Sequence, residues 1–371
     1  MYYQRNNKRR VQTEGSTTQQ NIIITPPDKA LMVVVLFLVV IGVMVIFSAS
    51  APKCVDMGVN PAKFALQQIL GVGVGYLGLR FLSNYDYRKL VNITNMYAII
   101  VILLLIAVHL FGDIVNGAQR WISLGPLSLQ PSEFAKPAVV LLLAKVFHKD
   151  ANITDPNKWT TAFFPILVMV GLIFIQPNLS MVILLGMTSV ILYLCSSGSI
   201  KLIGMMAATV VPVLLLHGLK GYQSSRITTW LHPESDPLGA GYNIIQSLVA
   251  FASGGLYGVG FGASKQKLAW LPEAHTDFIF AVVGEELGFV GCVLIIILFW
   301  TLLQRGFVIA SRCPDMYGKL LAVGLTFSIC FQAFLNMSVA SSFVPATGVP
   351  MPFISYGGSS VMVSLWMIGI L

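Results

Sequence analysis

Charge is scarce in this sequence. Its 371 residues include 23 Lys and Arg and 15 Asp and Glu, about 10% of the chain, while 56% are hydrophobic. Soluble domains carry about 25% charged residues, and so few charges cannot cover a water-exposed surface of this size. A soluble globular enzyme is excluded, and so is a disordered chain. Apolar–polar alternation is missing as well; the long unbroken apolar runs exclude a transmembrane β-barrel. No internal repeat is evident, which disfavours inverted-repeat transporter folds. The five Cys and five His are dispersed, with no pair at metal-ligand spacing and no disulfide framework. No cleavable signal is evident either: the first apolar run starts late and is long enough to span a membrane.

What is present is a series of charge-free runs. A helix crosses the bilayer with about 20 apolar residues, and only helices satisfy their backbone segment by segment in hydrocarbon. Residues 30–52, 64–82, 90–112, 202–219 and 278–303 each fit one helix, and 134–147 a shorter one. Residues 159–200 are twice one span and are interrupted at Gln176-Pro177-Asn178, so they read as a hairpin. Residues 320–371, broken by Pro345, Pro350, Pro352 and Gly357-Gly358, read as two helices. The predicted fold is an all-α polytopic membrane protein of about ten transmembrane helices. Residues 1–28 form a disordered basic cytoplasmic tail, and 29–371 a single membrane domain.

With the N-terminus inside, fifteen Lys and Arg fall on inner segments and seven on outer ones. The positive-inside rule therefore places both termini in the cytoplasm. Spread over inner loops, the net charge of +8 requires no nucleic-acid partner. Two outer connections are long, 113–132 and, between helices seven and eight, 220–276. Connections beyond about 15 residues are functional or disordered. The second is too rich in aromatic residues for a linker, and its Gln246-Ser247-Leu248 segment reads as an interfacial amphipathic helix. The glycine-rich segment 254–262 lacks the Lys-Ser/Thr and the preceding strand of a nucleotide phosphate loop, and reads as a flexible or closely packed backbone turn in preference to a direct phosphate contact.

Ionisable residues at membrane helices are costly, so each is a candidate site residue. Glu133 and Lys136, at i and i+3, share a helix face and can pair; a structural ion pair and substrate contact both remain open. Glu273, His275 and Asp277 crowd the outer entrance of helix eight, with Lys265 and Lys267 nearby. Helix capping by Asp277 would not explain that crowding. On a helix begun at Asp277, Glu285 lies about 80° around and can share a cavity with it, whereas Glu286 faces another helix.

Five motifs, Gly117-Ala118-Gln119-Arg120-Trp121-Ile122, Gln130-Pro131-Ser132-Glu133-Phe134-Ala135-Lys136, Leu271-Pro272-Glu273-Ala274-His275-Thr276-Asp277-Phe278-Ile279-Phe280, Gly284-Glu285-Glu286-Leu287-Gly288 and Pro352-Phe353-Ile354-Ser355-Tyr356-Gly357-Gly358-Ser359-Ser360, strongly resemble the SEDS family (shape, elongation, division and sporulation). Ala274 resembles the division and sporulation branch (FtsW, SpoVE) more than RodA; residues 341–346 depart from the usual wording. The resemblance implies a ten-helix peptidoglycan glycosyltransferase at the outer face of the bacterial cytoplasmic membrane. Its substrate would be lipid II, the undecaprenyl-pyrophosphate-linked disaccharide pentapeptide. Its partner would be a class B penicillin-binding protein transpeptidase, with divisome regulators as further candidates.

By that resemblance Asp277 is the general base. Arg226, Lys136, Lys265 and Lys267 are candidates for the diphosphate. Trp121 would pack on a sugar ring or sit in the interfacial aromatic belt. Gln246, Glu273 and His275 complete the candidate substrate-binding set, with Glu133 and Glu285 as structural or cavity residues. A divalent cation, Mg or Mn, would shield the pyrophosphate, although no ligand set in the sequence identifies one. Two rivals remain: a lipid II flippase or transporter, and a non-catalytic scaffold for a penicillin-binding protein. The acid cluster lies at a helix mouth, away from the midplane where transporter sites sit, and a scaffold leaves that cluster unexplained.

Overall fold

A computed structural model describes residues 27–115, 118–125, 127–148, 156–196, 222–239, 241–268 and 270–371. The expected 1–28 tail, apart from Pro27 and Asp28, and the expected seventh span, 202–219, lie outside the described residues.

The charge-free runs are helices: α1 (Lys29–Asp56), α2 (Lys63–Ser83), α3 (Leu90–Phe111), α4 (Pro131–Phe147), α5 (Pro156–Ile175), α6 (Leu179–Cys195), α9 (Ile279–Arg312), α10 (Met316–Ala340) and α11 (Gly358–Ile370). Five of the described helices, α1, α2, α3, α9 and α10, are long and apolar enough to cross a membrane. The protein is membrane-embedded: α1–α3 and α9 present large apolar side chains such as Phe37, Leu77, Leu103 and Phe289 on the outside of the bundle, where lipid takes the place of a polar surface. The hairpin turns where Gln176-Pro177-Asn178 interrupts the run, and Asn178 caps α6 by accepting from the Met181 N–H at 3.4 Å.

Helix α4 is the hub. It is short, begins with Pro at its first position, where no backbone N–H is needed, and is buried on every side along nearly its whole length. It packs against α3, α5, α6, α10 and α11. One end of the bundle is fastened by ion pairs. Asp28 caps α1 and pairs with Arg305 of α9, and Asp315 caps α10 while accepting from Tyr87 at 2.5 Å and pairing with Arg88 at 3.4 Å.

The opposite end departs from an all-α fold. The connection 113–129 forms a three-stranded antiparallel sheet, β1 (Asp113–Val115), β2 (Ala118–Leu124) and β3 (Leu127–Leu129), with Asp113 opposite Trp121 and Ser123 opposite Ser128. Strands of three and seven residues joined by tight turns leave too short an alternation to stand out in sequence. The long connection before α9 contributes two further helices, α7 (Tyr222–Leu231) and α8 (Tyr242–Gly254). The latter includes the expected amphipathic segment, burying Ile244, Ser247 and Ala250 while Leu248 and Val249 stay exposed.

Helix α9 is broken at Gly288, whose φ of 65° lies in the left-handed region open chiefly to glycine. The glycine-rich segment repairs the break. The N–H groups of Val259 and Gly260 donate to the carbonyls of Glu285 and Glu286 at 2.9 and 3.1 Å, and those of Phe289 and Val290 donate to Gly255 and Leu256 at 2.9 and 3.2 Å. Gly258 (φ 81°) packs so tightly here that a Cβ would lie 2.2 Å from the Glu286 oxygen. The segment is therefore the closely packed turn the sequence suggested.

Candidate active site

At the end of the bundle away from Asp28 and Arg305 lies a cleft of about 510 Å³, whose lining includes Arg120, Trp121, Arg226, Glu273, His275 and Asp277. Three layers of structure hold Asp277. The segment before α9 is not helical: Glu273 adopts φ 54°, and its carbonyl accepts from the N–H groups of Thr276 and Phe278 at 3.1 and 3.3 Å. The strained conformation at a non-glycine residue persists because its neighbours fix it. The loop 341–357 then lies against this segment. Ser355 Oγ donates to the Thr276 carbonyl at 2.7 Å, and the Tyr356 N–H to that of His275 at 2.9 Å. Beneath both, Asn336 of α10 donates to the Asp277 carbonyl at 2.9 Å and to that of Val349 at 2.7 Å.

The side chain of Asp277 is surrounded by protein yet opens on the cleft. Burial, then the neighbouring Glu273 carboxylate, push its pKa up to about 7 against the opposing pull of Arg120 and Arg226. Gly348 makes room for it: a Cβ there would stand 3.2 Å from Asp277 Oδ2 and 3.7 Å from Arg120 Nη1. Arg120 reaches across from β2, donating to the carbonyls of Gln176 and Pro177 at the hairpin tip at 3.0 and 2.6 Å. Arg226 enters from α7 and donates to the Ala346 carbonyl at 2.9 Å. His275 packs at a tilt against Phe64 and Tyr356, with ring centroids 5.2 and 5.9 Å away. Burial and Lys53 push its pKa down to about 4, so it is neutral at pH 7. The cleft thus joins a carboxyl that titrates near neutrality to two guanidiniums, an arrangement suited to removing a proton beside an anionic group. Among the described residues no three His, Cys, Asp or Glu side chains converge to hold a metal ion.

Comparison with known proteins identifies the family. Residues 28–371 match the family model of the FtsW, RodA and SpoVE proteins, described as cell cycle protein. The chain belongs to the FtsW/RodA/SpoVE family. It is 38% identical to the stage V sporulation protein E of Bacillus subtilis over 341 residues, 89% of this chain and 92% of that protein. It is 37% identical to the peptidoglycan glycosyltransferase MrdB of Escherichia coli K12 over 337 residues, 89% of this chain and 88% of that protein. It also superposes with a TM-score of 0.74 and 32% identity on a chain from a peptidoglycan synthase complex that coordinates polymerization and crosslinking, covering 92% of this chain and 96% of that one. Identities of 38 and 37% do not sort the chain between the branches of the family.

The structure separates the residues singled out in the sequence. Trp121, Arg226, Glu273, His275 and Asp277 line the cleft together. Lys136 does not: with no exposed surface, it pairs with Glu133 at 2.5 Å and donates to Gln332 Oε1 at 2.6 Å, so the ion-pair alternative describes its placement. Lys267 is also enclosed, bonded at 2.7 Å to both Glu286 and Ser48 of α1. Glu286 accordingly faces another helix, as its angular position implied.

Glu285 does not reach the cleft. The wheel that placed it beside Asp277 assumed a helix starting two residues before α9 does, and its buried carboxylate instead accepts from Ser264 Oγ and, at 3.0 Å, from the Lys265 N–H. The exposed Lys265 and the half-buried Gln246 stand apart from the cleft; Asn243, one turn before Gln246, lines it instead. Arg120 was the omission: it belongs to a quoted motif, but the hairpin carbonyls that aim it lie more than 50 residues away.

Proposed function

We propose that this chain is a peptidoglycan glycosyltransferase that polymerises lipid II, with Asp277 as general base. The observation that carries the reading is a carboxyl titrating near pH 7 in a cleft shared with Arg120 and Arg226. In each turn of the reaction the acceptor sugar hydroxyl attacks the anomeric carbon of the donor. The new C–O bond forms as the bond to the lipid pyrophosphate breaks, and the hydroxyl proton passes to Asp277. A base whose pKa lies near the working pH combines a useful ionised fraction with proton affinity. Arg120 and Arg226 add positive charge where the leaving pyrophosphate gathers negative charge. Trp121 offers an aromatic face to a sugar ring, and the neutral His275 packs into the wall without competing for the proton.

The orientation of the reading is extracytoplasmic. The end fastened by Asp28, Arg88 and Arg305 carries basic residues of the segments expected inside, which supports a cleft at the outer face of the bacterial cytoplasmic membrane with both termini in the cytoplasm. A class B penicillin-binding protein is the proposed partner, supported by the likeness to a complex that couples polymerization to crosslinking. Division or sporulation, rather than elongation, is supported by Ala274.

Purified protein in proteoliposomes with labelled lipid II tests the reading. Glycan polymer is the expected product. Movement of lipid II between leaflets with no polymer would overturn it in favour of a flippase.

A further inference from the structure

Helix α10 carries two amide side chains one turn apart, Gln332 and Asn336, in an otherwise apolar stretch, and both are buried. Asn336 places its two N–H bonds on the carbonyls of Asp277 and Val349, at 2.9 and 2.7 Å. Its Oδ1 is buried without a partner, so the amide is held only through its donor side. Gln332 accepts from Lys136 at 2.6 Å and donates to the Pro350 carbonyl at 2.9 Å. Lys136 in turn pairs with Glu133 at 2.5 Å. The polar contacts from α4 therefore pass through Gln332 to the Pro350 carbonyl, and the adjoining Val349 is joined through Asn336 to the backbone of Asp277. Gly348, next to Val349, is the residue whose missing side chain makes room for the Asp277 carboxylate.

We propose that Gln332 and Asn336 are positioning residues that lock the Asp277 backbone to the loop 348–350, and that the Glu133–Lys136 ion pair acts on the site through them without touching substrate. The inference rests on the polymerase reading above. The groups that face the Asp277 carboxyl are Glu273 from its own segment, Arg120 from β2 and Arg226 from α7. Releasing the backbone alters its distance from all three and its access to water. The acid limb of the rate profile then moves, which a purely structural contact would not do. Misplacement of a reacting group by about 1 Å costs about 100-fold, and lost positioning falls on kcat rather than on KM.

The test uses the full chain in detergent with lipid II and compares wild type, Asn336→Leu, which keeps the branched shape, and Gln332→Met, which keeps the length. Each folded variant is expected to lose kcat by at least about tenfold with KM within about twofold, and the acid limb is expected to shift below its wild-type position. As a readout that needs no turnover, the pH titration of Trp121 fluorescence, assigned by difference against Trp121→Phe, should show the same shift. Wild-type kcat and an unmoved limb in either variant would overturn the proposal. So would a lowered melting temperature with full specific activity in the folded fraction. If Asn336→Leu does not accumulate, Gln332→Met alone decides. If wild type makes no polymer, the polymerase reading fails and the Trp121 titration still judges the coupling.

Discussion

Lys136→Met separates a lysine that holds the bundle from one that holds substrate. Lys136 and Glu133 have no exposed surface and lie 2.5 Å apart at the start of α4, the helix on which α3, α5, α6, α10 and α11 pack. Removing one partner of such a pair leaves a buried charge without compensation, at a cost of about 3–5 kcal/mol. At about 2 °C per kcal/mol for a chain of this size, the melting temperature in detergent should fall by about 6–10 °C. Replacing both groups removes the charge altogether and can be nearly neutral. Glu133→Gln/Lys136→Met should therefore melt well above Lys136→Met, with a double-mutant coupling of about 3 kcal/mol. The assay is thermal unfolding of wild type, Glu133→Gln, Lys136→Met and the double variant side by side. A Lys136→Met protein that melts with wild type and yet makes no polymer would refute the reasoning and place the lysine on substrate.

Three further outcomes follow from particular contacts. Asp277 must be ionised to take a proton, so kcat/KM should rise with pH through about 7; because Glu273 helps raise that pKa, Glu273→Gln should move the acid limb to lower pH, as read from a pH–rate profile. Lys267→Met, which strands the buried Glu286, should lower the melting temperature of the protein while leaving the KM for lipid II within about twofold, since it removes no contact made in the cleft. Gly258→Ala combines φ 81° with a Cβ 2.2 Å from the Glu286 oxygen, so the yield of monodisperse protein on gel filtration should collapse.

Much of the molecule was legible because membrane helices advertise themselves by the absence of charge. The hairpin turn at Gln176-Pro177-Asn178, the amphipathic helix around Ser247 and the crowd of ionisable groups before α9 all follow from local pattern. What failed to show depends on pairings distant in the chain. Lys267 looked like a phosphate ligand until Ser48, more than 200 residues away, and Glu286 appeared beside it. Glu285 was misplaced because the residues from Asp277 to Phe278 are a turn rather than helix, a difference of two residues that a periodicity argument does not detect. Gln332 and Asn336 carry no charge and match no motif. Their only sequence signal is an amide in an apolar run, and its meaning depends on the carbonyls of a loop that folds back beneath the cleft.

The most direct test of the central claim is the polymerisation of lipid II by purified Asp277→Asn, a change that keeps the size of the side chain and removes the base. With wild-type folding and partner binding, the account predicts no detectable glycan strands. Strands formed at the wild-type rate would contradict it.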